Sequence, residues 1–254
     1  MYFESHAHYE DKQFNPDREE LLATLLPEAK VTTVINVGAS MGSTRAGIKL
    51  AERYSYVYAT VGVHPHYVKS LTGSDLTELE QLCANKRVVA VGEIGLDYFR
   101  DLSPRNVQQQ RFRDQLEISK RTNLPVILHT RDASKDMFDT IKNESQIRRG
   151  VVHCFSESAE MAREYTKLGF YIGIGGVVTF PKSKTLHEVV RRTDLSHILI
   201  ETDCPYLAPE PHRGKRNSSA YLPHVVEAIA QIKGISAEEV AEQTYTNGKK
   251  LFNV

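Results

Sequence analysis

Six residues of metal-binding type end short apolar runs in this chain. His6 and His8, Glu93, His129, His153 and Asp203 follow Tyr2–Phe3, Val88–Val91, Val126–Leu128, Val151–Val152 and Ile198–Ile200. Residues two apart on a strand share a face, so Glu4, His6 and His8 are expected to point together, with Glu4 lower down and placed to orient an imidazole. Glu93 lies between Gly92 and Gly95, where backbone can approach a ligand closely, and a carboxylate can bridge two ions. His129 and His153 close strongly β-forming runs and suit a second ion. Asp203 can bind the first ion and accept a proton from water, and Glu201, one layer deeper on the same face, supports the ligands. Any one such histidine is more often a hydrogen-bonded core residue. Their recurrence at equivalent strand ends favours a metal centre, and imidazole with carboxylate favours hydrolysis.

A second group could hold substrate. His64 and His66 in Gly62-Val63-His64-Pro65-His66 end a strand-like run, and His64 is read as a phosphate contact. Arg131 follows His129 by two residues, and Arg213 sits in the basic run Arg213-Gly214-Lys215-Arg216, shortly after Asp203. The planar fork of arginine matches phosphate oxygens. Asp97 is read as a group that orients a loop or touches substrate. Cys154 and Cys204 each follow a ligand candidate and are expected, by alternation, to point away into the barrel wall.

The elements that must position these side chains alternate strand and helix. Strand-like runs are expected at 2–6, 33–37, 57–63, 88–92, 126–129, 151–155, 170–174 and 198–202. Helical periodicity fills the gaps, at 18–29, 44–53, 75–84, 109–121, 134–143, 159–168 and 186–192. Pro223 starts a further helix, and Ser236 with Glu239 is a capping box for the last one. The pattern predicts an α/β chain, a (β/α)8 TIM barrel of metal-dependent hydrolase type, as one domain over 1–254. Ligands at the C-terminal ends of barrel strands are where that fold does chemistry.

The bulk numbers bound the partners. Lys plus Arg and Asp plus Glu both number 32, so formal net charge is zero. Affinity for nucleic acid must then come from a local site and not from global charge. No apolar stretch of about 18 residues is present and no leader is visible, so neither membrane span nor signal peptide is expected. Three cysteines without regular spacing fit a reducing compartment, and a cytoplasmic location is expected.

The segments Ser5-His6-Ala7-His8, Gly62-Val63-His64-Pro65-His66, Gly92-Glu93-Ile94-Gly95-Leu96-Asp97-Tyr98, Leu128-His129-Thr130-Arg131-Asp132-Ala133, His153-Cys154-Phe155, Glu201-Thr202-Asp203-Cys204-Pro205-Tyr206-Leu207 and Arg213-Gly214-Lys215-Arg216-Asn217 resemble, in order and spacing, the TatD family of metal-dependent deoxyribonucleases. The resemblance spans the chain. It implies a cytoplasmic hydrolase of DNA phosphodiester bonds, an exonuclease on single strands, acting through metal-activated water. DNA with short or single-stranded ends is the implied partner, and no protein partner is implied. His6, His8 and Asp203 would hold one ion, His129 and His153 a second, with Glu93 bridging. Magnesium or manganese is implied in function, and the imidazole content also suits zinc or nickel. Three positions depart from the family pattern: Glu4 replaces Asp, Ser218-Ser219 replaces Glu-Pro, and Asn247-Gly248 replaces Asn-Ala, the last expected to cost some helix stability. The rivals are a metal-dependent hydrolase of a small molecule, ester or amide, and a metal-stabilised binding protein without turnover.

Overall fold

A computed structural model describes all 254 residues. Its eight strands are β1 (Tyr2–Ala7), β2 (Val31–Asn36), β3 (Val57–Val61), β4 (Val88–Asp97), β5 (Val126–Arg131), β6 (Gly150–Val152), β7 (Phe170–Ile174) and β8 (Ile198–Ile200). They pair in parallel in chain order. The ring is completed where Ala7 bridges Cys204. There the His8 amide donates to Cys204 O at 2.9 Å and the Asp203 amide donates to His6 O at 2.9 Å. The fold is the expected (β/α)8 barrel.

Helices follow the strands. The first is built of Arg18–Glu20, a π turn at Leu21–Leu25, and Leu26–Glu28. The others are Met41–Arg53, Gly73–Leu82, Arg105–Thr122, Ser134–Asn143, Ala159–Lys167 and Lys184–Arg192, and the chain ends with Leu222–Lys233 and Ala237–Phe252. Local chemistry sets their ends. Ser40 with Ser43 and Thr72 with Asp75 form reciprocal capping boxes. At the last helix only half of the expected box forms: Ser236 Oγ accepts from the Glu239 amide at 3.1 Å. Gly234 stops the preceding helix with φ +69°, which costs a residue without Cβ little.

Two strand boundaries matter for the site. β4 runs past its expected end at Gly92 to Asp97, with a register shift against β5 between Val91 and Ile94. Such an irregularity re-aims side chains. β6 and β8 instead stop early, at Val152 and Ile200, so His153, Glu201 and Asp203 stand on strand exits. Most of the core lies between the sheet and the surrounding helices. A smaller cluster fills the barrel floor, where Ile127, Val151 and Leu199 pack with Phe3 and are closed off by Leu251 and Phe252 of the last helix. Alternation then carries from Ile127 to His129, from Val151 to His153 and from Leu199 to Glu201, whereas Asp203 lies beyond the end of β8 with φ +55° and is tied by its amide to His6 O. β1 differs: Phe3 belongs to the floor, and register shifts on both sides of Phe3–Glu4 bring His6 into the site.

Gly248 has a packing reason that helix propensity alone does not reveal. A Cβ there would lie 2.6 Å from Phe3 Cγ and Cδ1. The Phe3 ring is held by Phe252, stacked at a centroid distance of 5.9 Å, and by Tyr245, edge-on at 6.0 Å. Gly248→Ala would gain about 1 kcal/mol from propensity, but overpacking typically costs about 1–3 kcal/mol. We expect Gly248→Ala to lower the thermal midpoint, and Phe3→Leu to offset part of that decrease in the double variant. A raised midpoint in the single variant would show that the Phe3 ring moves freely.

Candidate metal centre

The six sequence-selected ligands converge at the C-terminal mouth of the barrel. His6 Nε2 lies 3.2 Å from His8 Nε2, 3.6 Å from Glu93 Oε2 and 3.7 Å from Asp203 Oδ1. His8 Nε2 lies 3.3 Å from Asp203 Oδ1. Donors about 2.1 Å from a common divalent ion stand about 3.0–3.5 Å apart, and His6, His8 and Asp203 come close to that spacing. On the other side, Glu93 Oε1 lies 2.8 Å from His129 Nδ1, 3.1 Å from His153 Nε2 and 3.6 Å from His64 Nε2. The two oxygens of Glu93 thus face two different groups of imidazoles.

The grouping differs in detail from the sequence expectation. His129 and His153 meet through Glu93 Oε1, with ring centroids 5.9 Å apart, while the His153 ring stacks on His6 at 3.7 Å. Three-residue groups compact enough for one ion are His6–His8–Asp203, His6–Glu93–His153, His64–Glu93–His129 and His64–His66–Asp97. His64 therefore stands among the candidate ligands as well as facing the cavity. Asp97 is buried, with its Oδ2 2.8 Å from His66 Nε2 and 3.1 Å from His129 Nε2. It orients both rings, a role that alternation along a longer β4 would have suggested, since Glu93 and Asp97 then share a face.

Electrostatics follows from packing charges into a dry mouth. Burial alone would raise the Glu93 carboxyl, but His64, His153 and His129 overcome it and hold it well below the usual carboxylate range. Burial likewise opposes the Asp203 charge, and His8, His153 and His6 pull its pKa down. His6 is pushed down by burial and by His153. His8 is driven well above its ordinary value, against burial, by Asp203 and Glu10. His153 is raised the same way by Glu93 and Glu201.

Of the two supporting carboxylates, Glu201 stands as expected and Glu4 does not. Glu4 touches no imidazole. Its Oε1 accepts from the amides of His6 at 3.1 Å and Thr202 at 3.0 Å. Its Oε2 accepts from Thr202 Oγ1 at 2.6 Å and Ser219 Oγ at 2.7 Å. The longer glutamate reaches across the seam between β1 and β8, and the serine that departs from the family pattern meets it there. Burial still pushes the Glu4 carboxyl up to about 7. Glu201 lies beside His153, its Oε1 3.3 Å from Nδ1, and accepts from the Cys154 amide at 2.6 Å. Cys204 is buried in the wall as expected. Cys154 departs from strand alternation because β6 has already ended and its φ is +46°, and it lines a small apolar cavity beside Asp203. Gly95 serves strand packing more than ligand approach: with φ +147°, a Cβ there would meet His129 O at 2.0 Å.

The candidate ligands other than His6 open into a cavity of about 520 Å³ lined also by Glu10, Tyr67, Arg100, Arg131 and Tyr206. Arg131 is there as expected, its guanidinium 3.9 Å from the Phe99 ring centroid. Arg213 is not: it is exposed, outside the cavity lining, and stacked over Phe180 at 4.5 Å. Arg216 is committed to structure, pairing with both oxygens of Asp17 and donating to Gln13 O. Glu10 and Arg100 carried no sequence signal, because each reaches the site from a loop whose path the pattern does not encode.

Comparison with known proteins places the chain in a family. The model of the family described as TatD related DNase matches residues 3–253. The chain is 41% identical over 255 residues to the uncharacterised metal-dependent hydrolase YabD of Bacillus subtilis strain 168, covering 100% of both chains. It is 40% identical over 206 residues to the uncharacterised metal-dependent hydrolase YcfH of Escherichia coli K12, covering 81% of this chain and 77% of that one. The crystal structure of YjjV, a TatD homologue from Escherichia coli K12, superposes with a TM-score of 0.94 at 32% identity, covering 100% of this chain and 98% of that one. The chain belongs to the TatD family, and it is a metal-dependent hydrolase of that family.

Proposed function

We propose that this protein hydrolyses phosphodiester bonds in DNA, using two divalent ions. The observation that carries the reading is Glu93, one oxygen turned to His6 and His8 and the other to His129 and His153. His6, His8 and Asp203 would hold one ion, His129 and His153 the other, with Glu93 between them. Magnesium or manganese suits turnover, and zinc or nickel suits the imidazoles. When bound, the ions supply Lewis acidity and make water more acidic. Asp203 retains 18% side-chain exposure and faces the cavity, so it is placed to take the proton of the attacking water. As the water oxygen bonds to phosphorus, the bond to the leaving ester oxygen breaks. His64 and Arg131 offer donors to the phosphate oxygens, and Arg213 reaches a phosphate farther along the strand.

The small-molecule hydrolase stays as the second reading because a cavity of about 520 Å³ is also the size of a small-molecule site. End-labelled single-stranded oligonucleotide, nucleotide esters and amide substrates assayed in parallel separate the two. Turnover of amides or small esters with intact oligonucleotide would replace the DNA reading.

Elemental analysis after dialysis against manganese should give two ions per chain, falling in Glu93→Gln; a wild-type value that never exceeds one would remove the bridging role. Asp203→Asn should stay folded yet fall about 10²–10⁴-fold in turnover, and near-normal rates at unchanged metal content would place the base elsewhere. Arg131→Ala and Arg213→Ala should each reduce the salt slope of single-strand binding, by about 0.7 for each phosphate no longer neutralised. Arg216→Ala should instead lower the thermal midpoint by breaking the Asp17 pair, with the slope unchanged.

A further inference from the structure

Large apolar side chains that remain exposed are concentrated at the mouth of the barrel. Tyr67, Phe99, Leu102, Tyr206 and Leu207 are 43–54% exposed, and they lie on the segments that follow β3, β4 and β8. A protein without a partner rarely leaves such a group in water at one place. Tyr67 and Tyr206 also line the cavity that holds the candidate ligands. They flank opposite ends of the ligand row. The Tyr67 ring centroid is 6.5 Å from His64 and 6.3 Å from His66. The Tyr206 centroid is 6.4 Å from His8. Tyr206 is steadied by its hydroxyl, which donates to Asp11 Oδ2 at 3.2 Å.

We propose that Tyr67 and Tyr206 form an aromatic clamp that takes an unstacked nucleobase beside the phosphate at the metal centre. The inference rests on the reading of the site as a DNA phosphodiesterase and names the two residues that would receive the base. Charge and shape argue for this occupant. Arg100 and Arg131 line the same cavity beside five carboxylates, Glu10, Asp11, Glu93, Asp97 and Asp203, so a phosphate would be held by the two guanidiniums together with ions bound at the candidate ligands, while the tyrosine rings offer flat apolar faces. A nucleotide joins those two properties within one unit. In duplex DNA the base faces are covered by their neighbours, so the clamp selects an unpaired strand. Stacking on an aromatic side chain tolerates every base, because each has a π face.

The test uses full-length Asp203→Asn protein with magnesium, and short single strands carrying 2-aminopurine, whose fluorescence is quenched by stacking. The parent should bind the single strand more tightly than a blunt duplex of the same sequence and quench the probe. The double variant Tyr67→Ala/Tyr206→Ala should weaken single-strand affinity by about five- to a hundredfold and leave the probe bright. Tyr67→Phe and Tyr206→Phe keep the rings and should keep both affinity and quenching, even though Tyr206→Phe removes the bond to Asp11. Metal content and circular dichroism check that the double variant is intact, and Tyr67→Ala alone carries the test if it is not. Equal affinity and full quenching in the alanine variants would overturn the clamp. So would a phenylalanine variant that binds as poorly as alanine, since that would assign the contact to the hydroxyl. A parent that binds no DNA at all would overturn the phosphodiesterase reading and the clamp with it.

Discussion

One buried carboxylate organises the mouth of this barrel. Glu93 sits among five imidazoles in a place where its charge would be costly to keep without partners. Burying an isolated carboxylate normally drives it to take up a proton. Here His64, His153 and His129 reverse that tendency, and divalent cations would reverse it further. The position of Glu93 between two sets of nitrogens is therefore a consequence of electrostatics as much as of strand geometry. Removing the carboxylate would withdraw the one negative charge that all five rings share, leaving Asp203, Asp97 and Glu201 each beside only part of the set.

The second constraint is closure. β1 and β8 are joined at the level of the ligands, through backbone bonds of His6, His8, Asp203 and Cys204. Glu4 adds side-chain bonds across the same seam, to Thr202 and Ser219. The groups that close the barrel are thus adjacent in sequence to those that would bind the first ion. Fold stability and ligand geometry are tied together at this seam, so that small defects of packing there would loosen the site. The floor beneath is fixed differently, by Phe3 packed against Gly248 and Phe252 of the last helix.

Around this rigid centre the loops differ in what they contribute. The loop after β8 carries a basic run, yet Arg216 is committed to Asp17 and Arg213 lies over Phe180 outside the cavity. The arginines inside the cavity are instead Arg100 and Arg131, after β4 and at the end of β5. The apolar surface comes from Tyr67 and Tyr206.

The barrel and the candidate ligand set are legible in the amino-acid sequence. Apolar runs of strand length, helical periodicity between them, and a metal-type residue after each of several runs are local signals. The period-two alternation that places Ile127 under His129 and Val151 under His153 can be read without coordinates. Relations between strands had to wait for the folded chain. β4 runs on past Gly92 as far as Asp97, and its pairing with β5 beyond the register shift sets Asp97 where it orients His66 and His129. The seam turns Glu4 to backbone and hydroxyl groups of the neighbouring segments and away from any imidazole. Phe3 makes Gly248 a packing necessity where propensity alone reads it as a weakness. The cause is common to all three. Alternation fixes which face of its own strand a side chain takes, but its partner across a bulge, a seam or a helix contact depends on the register and distance of a chain segment far away in sequence.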